Sequence, residues 1–255
     1  MSIIAKQPNK DNLTVQIFDT DEQMGATGAA IVTGKIRELL QTQPIVNIIF
    51  AAAPSQNAFL AGLIKEDIEW DRINAFHMDE YIGLADNSPQ AFGIFLKERL
   101  FDKVPFLTVN YLNGNAADKV KECERYEQLL KAYPTDIVCM GIGENGHIAF
   151  NDPPVADFND PKVVKVVELD DMCRQQQVND DCFDSFTDVP ESALTLTIPT
   201  LMKAKYIYCF VPGTRKAEAV KNTLQQDIIE EYPSTILRRH PNAILFLDRA
   251  SSALI

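Results

Sequence analysis

The sequence predicts a single-domain, doubly wound α/β fold with a mostly parallel sheet and helices on both faces. Three observations carry that reading. Short β-rich runs alternate with longer stretches of helical periodicity along the whole chain. Runs such as "IVNIIFAA" at 45–52 are apolar on both faces, as strands covered by helices on two sides must be. No repeat, low-complexity tract or Gly/Ser linker divides the 255 residues, a length that one large α/β domain fills.

In chain order, "TVQIF" at 14–18 reads as the first strand, and Glu22–Leu40 follows with apolar residues at helical spacing. The strand at 45–52 runs into Pro54–Ser55, a helix-start signal, and a helix over Asn57–Ile64. Strands at 72–78 ("RINAFHM") and 107–112 ("LTVNYL") flank a helix over Ala91–Phe101. Ala117–Ala132 is helical and leads to the strand "DIVCMGI" at 136–142. Later strands are "KVVKVVEL" at 162–169, "KYIYCFV" at 205–211 and "AILFLD" at 243–248, with a helix over Lys216–Leu224. The least regular part is 151–190, with prolines at 153, 154, 161 and 190 and acid pairs at 170–171 and 180–181. A polar excursion of this kind reads as a lid over 153–188 or as a solvated connection.

Composition narrows the function. A hydrophobic fraction of 46% with 24% charged residues is that of an ordinary globular protein. A net charge of −12 without a basic face argues against nucleic acid or an anionic membrane as partner. An anionic substrate would need a local positive site set against that field. The five cysteines, at 123, 139, 173, 182 and 209, form no CxxC pair and read as reduced thiols of a cytoplasmic protein. No signal-peptide core is present at the N-terminus. The most apolar stretch, "IVNIIFAAAP", falls short of the about 20 residues a bilayer span requires.

Four constellations stand at predicted strand ends, where open α/β sheets bind ligands. In "MGIGENGHIAFNDPP", Gly141, Gly143 and Gly146 with Glu168 fit a dinucleotide fingerprint, but Pro153–Pro154 stops the long helix that fingerprint needs. The glycines instead supply close backbone approach and free amides. His147 follows that turn and can carry protons near neutral pH, with Asp152 to orient it or to act as a turn residue. In "FHMDEYIGL", Asp79 and Glu80 end another strand, either as a crevice base or as acids at a helix start. His77, Asp79, His147 and Asp152 are the candidate metal ligands, but no metal-site spacing is present and no metal is expected. "FAAAPSQN" offers free amides to an anion, and "VPGTRKA" places Arg215 and Lys216 at a helix start, where cations oppose the dipole and phosphate binding would account for them.

Together "GIGENGHIAFNDP", "HMDEYIGL", "YLNGNAAD", "PESALTLTIPTLMKAK" and "VPGTRKAEAV" resemble the glucosamine-6-phosphate deaminase (isomerase) family, whose wider relatives include 6-phosphogluconolactonases. The likeness runs from about Phe50 to Asp248 with the motifs in family order. It implies a Rossmann-like domain, no metal or redox cofactor, and a phosphorylated amino sugar as substrate; a homo-oligomer is left open. It implies that His147 opens the sugar ring, that Asp79 moves the C2 proton to C1, and that Lys216 contacts the phosphate. The family's Gly-Gly-Thr-type loop is here "AAAPSQN", which leaves phosphate contacts to Ala52, Ala53, Ser55, Gln56 and their amides. Asn145 stands where many members have aspartate, and Asp152 stands where they have glutamate. The resemblance also implies substrate contacts from Glu80 and Gly146, and Arg174 is the nearest candidate for an arginine that "QQQVND" lacks. The expected activity is conversion of glucosamine 6-phosphate, or its galactosamine epimer, to ketose 6-phosphate and ammonia. The alternatives are a 6-phosphogluconolactonase and a catalytically silent sugar-phosphate-binding regulator.

Overall fold

The computed structural model describes residues 5–255. Strands β1 (Ala5–Lys10) and β2 (Leu13–Phe18) form an antiparallel pair, and β2 feeds helix α1 (Asp21–Leu40). The Thr20 side chain accepts from the Gln23 amide, and Asp21 and Glu22 occupy the first turn, where acids suit the dipole. Next come β3 (Val46–Phe50), a 3-10 turn at Pro54–Gln56, and helix α2 (Asn57–Leu63). Strands β4 (Ile73–His77) and β5 (Asp79–Tyr81) follow with a single residue between them. The chain continues through α3 (Phe92–Leu96), β6 (Thr108–Asn110), α4 (Lys119–Ala132) and β7 (Ile137–Met140). It then forms β8 (Val164–Glu168), α5 (Asp171–Asn179), β9 (Ser192–Leu196) and α6 (Ile198–Met202). It closes with β10 (Tyr206–Val211), α7 (Ala217–Gln225) and β11 (Ala243–Asp248).

Eight strands make the main sheet in the order β1-β2-β11-β10-β7-β3-β4-β6, parallel throughout except for β1. The chain winds outward from β3 to β4 and β6, returns to β7 beside β3, and winds the other way to β10 and β11. A crevice opens at such a reversal, above the carboxyl ends of β3 and β7. Side chains alternate between two cores as the strand period of two requires. In β10, Ile207, Cys209 and Val211 pack with α4 and α7, while Tyr208 and Phe210 pack with α1 and α2. Helix α1 lies close on that second face: a Cβ at Gly28 would stand 2.2 Å from the Phe210 ring, so no larger residue fits without displacing it.

A second sheet of three antiparallel strands, β5-β9-β8, stands over the crevice. The run at 162–169 is therefore a strand as expected, but it belongs to this sheet. Its alternation explains why: Lys165 and Val167 are buried while Val166 and Glu168 are exposed, a one-sided pattern over most of its length, unlike the two-sided strands of the main sheet. The expected irregular stretch also contains helix α5, capped by the Asp170 side chain on the Met172 amide. The expected helix Ala91–Phe101 begins at Phe92 and ends in a π turn over Lys97–Phe101. The strand expected over 107–112 is cut to three residues because beyond Asn110 the chain turns inward, where the Leu112 amide donates to His77. Among the described residues no helix is long and apolar enough to cross a membrane.

Candidate active site

The crevice is an open cleft lined from the strand ends around the reversal. Ala51 to Gln56 follow β3, Met78 and Asp79 follow β4, Gly141 to Gly143 follow β7, and Lys216 follows β10. Helix α5 covers the far side with Gln176, Gln177 and Asp180.

Asp79 is fixed at the seam between the two sheets. It pairs with Thr195 of β9, and the Leu196 amide donates to the Met78 carbonyl at 2.8 Å. Below it the His77 ring sits between two main-chain groups. Nδ1 donates to the Asp79 carbonyl at 2.9 Å, and Nε2 accepts from the Leu112 amide at 2.9 Å. Both nitrogens are thus engaged and the ring is neutral; burial pushes its pKa down to about 4. His77 is therefore a brace for the Asp79 backbone and is not open to a metal. The Asp79 carboxyl is 7% exposed and lines the cleft. Burial raises its pKa well above the carboxylate range, and the nearby charges of Glu80 and Asp152 add to the rise. A carboxylate in that setting has the proton affinity of a base.

His147 faces it from the loop after β7. The Gly143 amide donates to the His147 carbonyl and the Gly146 amide to the Gly143 carbonyl, each at 3.0 Å. The turn requires φ +88° at Gly146, and Ala149 takes φ +50°, a strained value for a side-chain-bearing residue in a cleft wall. A Cβ at Gly143 would lie 2.2 Å from the His147 ring, so the glycine makes room for the imidazole. Nδ1 of His147 lies 2.8 Å from Asn145 Oδ1 and 2.9 Å from Asp152 Oδ1. Both are acceptors, so Nδ1 carries the hydrogen and Nε2 is left as the basic nitrogen. Asn145 Nδ2 donates to Asp152 Oδ1 at 2.8 Å and closes the triangle. Burial acts to raise the Asp152 pKa, but the His147 ring and the Asn145 amide outweigh it and hold the group below the usual range. Cys173 of α5 brings its sulfur within 4.8 Å of the His147 nitrogen and the Asp152 carboxylate. Among the described residues this trio, and not the expected set with His77 and Asp79, is the group spaced to hold a metal.

Another part of the cleft wall offers polar groups and a cation. Ala52, Ala53 and Ser55 line it ahead of the Pro54–Gln56 turn. The Gln56 side chain donates to Ser55 Oγ and to the Phe210 carbonyl, each at 3.2 Å. Lys216 is 7% exposed and makes no ion pair among the described residues; burial lowers its pKa. A buried ammonium without a protein partner invites a negative ligand. Arg215 is engaged elsewhere, 2.6 Å from Asp180 and 3.3 Å from Glu144.

Three expected substrate contacts lie outside the cleft lining. The Glu80 carboxylate accepts from the amides of Tyr81 (2.9 Å), Phe92 (3.0 Å) and Gly93 (2.8 Å), so it closes the start of α3. Alternation along β5 turns Glu80 away from the face that Asp79 occupies. Burial pushes the Glu80 pKa up to about 7 despite those three bonds. Arg174 reaches the carbonyls of Phe186 (3.2 Å) and Val189 (2.9 Å) and ties its own segment together. Gly146 shapes the turn but does not border the cleft. In place of Arg174, the same helix presents Gln176, Gln177 and Asp180. The cap at Asp170 was the one sequence signal for that helix, and its apolar content was too low for a stripe to stand out.

Comparison with known proteins places these features in a family. The model of the glucosamine-6-phosphate isomerases/6-phosphogluconolactonase family matches residues 19–246. A glucosamine-6-phosphate deaminase of Bacillus cereus is 35% identical over 242 residues, covering 95% of this chain and 89% of that protein. The solved structure of a monomeric glucosamine-6-phosphate deaminase superposes with a TM-score of 0.86 at 32% identity, covering 94% of this chain and 99% of the other. A 6-phosphogluconolactonase from Thermotoga maritima shares the fold, with a TM-score of 0.75 at 19% identity over 92% of this chain and 99% of the other.

Proposed function

The chain belongs to the glucosamine-6-phosphate isomerase/6-phosphogluconolactonase family, and from that footing we propose that it is an amino-sugar-phosphate deaminase. It converts glucosamine 6-phosphate, or the galactosamine epimer, and water to ketose 6-phosphate and ammonia. One observation carries the reading. A buried carboxylate of raised proton affinity, Asp79, lines the same cleft as a histidine whose free nitrogen is the basic one. Lactone hydrolysis needs a single base to activate water. Moving hydrogen from one carbon to its neighbour needs a second group that holds a proton between two steps, and Asp79 supplies it.

The chemistry follows the layout. Lys216, the Ser55 hydroxyl and the amides of the Ala52–Gln56 turn hold the phosphate. His147, with Nδ1 fixed by Asn145 and Asp152, takes the proton of the anomeric hydroxyl and returns one to the ring oxygen, so the ring opens. Asp79 then removes the C2 proton to give an enolamine and delivers it to C1. The resulting C2 imine is hydrolysed, and ammonia leaves. No step calls for a metal or a redox group. The segment 153–188 serves as the lid, with α5 as its body and Arg215 as the clasp that binds Asn179 and Asp180 to the rim. The setting is cytoplasmic, where the five free cysteines stay reduced.

Ammonia release measured with both amino-sugar phosphates, beside a 6-phosphogluconolactone hydrolysis assay, tests the reading. Ammonia from neither sugar, with lactone turnover, would replace it. A narrower test is Lys216→Ala. Loss of one charge-assisted contact costs about 1.5–3 kcal/mol, a rise in KM on the order of 10- to 150-fold. The value of kcat should hold, since the reacting groups stay in place. An unchanged KM in steady-state kinetics would move the phosphate to another part of the cleft.

A further inference from the structure

Helix α5 and its cap lay one stripe of side chains along the cleft. Cys173, Gln176, Gln177 and Asp180 stand at i, i+3, i+4 and i+7 and so share a face. Three of the four are engaged with protein. Cys173 meets the His147–Asp152 pair. Gln176 accepts from the Glu144 amide at 2.7 Å, and Asp180 binds Arg215 at 2.6 Å. Gln177 differs. It is 8% exposed and lines the cleft, and its side-chain amide makes no hydrogen bond among the described residues. The body of the side chain is buried and its amide opens on the cleft, where a donor not spent on protein is placed to meet a ligand. Its position identifies which end of the ligand. Arg215, the chain neighbour of Lys216, binds the Asn179 carbonyl and the Asp180 carboxylate, which ties the end of α5 just beyond Gln177 to the turn that carries Lys216. Gln177 therefore lines the same cleft as the buried ammonium, on a segment fastened to the turn that bears it.

We propose that Gln177 is a further substrate-binding residue: its side-chain amide donates to the charged end of the substrate while Lys216 supplies the cation. The neighbouring guanidinium of Arg215 is already committed to Asp180 and Glu144. The cleft thus recognises a phosphate monoester with a single free cation and neutral donors, from Gln177 and Ser55, arranged around it. This rests on the amino-sugar-phosphate reading above for the identity of the ligand, but the placement of the donor stands apart from the chemistry at Asp79.

Two variants test it. Gln177→Leu removes the donor at similar volume, and Gln177→Glu keeps the shape but adds a negative charge. With glucosamine 6-phosphate and its galactosamine epimer, Gln177→Leu is expected to raise KM about 10- to 100-fold with kcat within about twofold. Gln177→Glu is expected to raise KM further, because its carboxylate faces the phosphate. Wild-type KM values in both variants, or a fall in kcat with KM unchanged, would overturn the proposal. Should Gln177→Leu fail to fold, the isosteric Gln177→Glu carries the test, with melting midpoints to confirm folding. Wild-type protein that releases no ammonia from either sugar overturns the deaminase reading alone. Calorimetric titration with inorganic phosphate then decides the present point: affinity at least about tenfold weaker in Gln177→Glu supports it, and equal affinity removes it.

Discussion

Asp79→Asn is expected to lower kcat by about 10²- to 10⁴-fold, the usual effect of losing a general base, with little change in KM. The substitution keeps the shape of the side chain but cannot accept the C2 proton. It should also abolish incorporation of deuterium at C1 and C2 from deuterated water during turnover. The fold should not suffer. Burial and the neighbouring charges of Glu80 and Asp152 disfavour the Asp79 carboxylate, and among the described residues no hydrogen bond supports it. A neutral amide removes an unfavourable charge, so the melting midpoint should stay level or rise. In the unsubstituted protein the acid limb of kcat against pH should lie above the ordinary carboxylate range, since the base works only when deprotonated. Near-normal ammonia release from Asp79→Asn would assign the proton shuttle elsewhere.

His147→Gln should fail differently. The histidine acts at the ring oxygen, so its loss bears on the cyclic substrate and leaves Asp79 in place. Overall deamination should fall by about 10²-fold or more, again the scale of one general acid–base group. Exchange of the C2 hydrogen should persist on the small open-chain fraction of the sugar. Following both signals in one nuclear magnetic resonance experiment separates the steps. Exchange lost in parallel with ammonia release would mean that His147, and not Asp79, handles the C2 proton.

The fold was legible because its strongest signals are local. "IVNIIFAA" and "DIVCMGI" are apolar on both faces, and that pattern fits a helix-covered parallel strand. The covering sheet was not legible on the same terms. β5 is three residues long and follows β4 after one residue, so it reads as the continuation of one strand. β9 is identified by its pairing with β5 and β8, a long-range property that periodicity does not record. At the site, Asp79, His147 and Asp152 were singled out because they stand at predicted strand ends, and Asn145 through the family resemblance; the structure brings all four to the cleft or to the His147 ring. Glu80 was misplaced because adjacent residues of a strand point to opposite faces, and the pair "DE" alone does not say which acid faces the cleft. Gln177 was missed because an uncharged side chain on a polar helix carries no signal until the helix is folded over its ligand.

The covering elements are anchored very unevenly. Leu194 and Leu196 of β9 belong to the same apolar core as the main sheet, whereas Cys173 of α5 packs in a small separate cluster with Tyr81, Phe150 and Phe183. Helix α5 adds only the half-buried Val178 to that cluster and is otherwise held by polar contacts, such as the Arg215 pair, which salt weakens. Local stability follows the apolar anchorage, so sub-global opening should release α5 well before β9. Hydrogen exchange read by mass spectrometry should show the amides of 171–179 unprotecting faster than those of 193–196, and faster still in high salt. Moderate heating should then produce a protein that turns over substrate at an undiminished maximal rate yet grips it weakly, because the ladder that seats Asp79 outlasts the helix that carries Gln177.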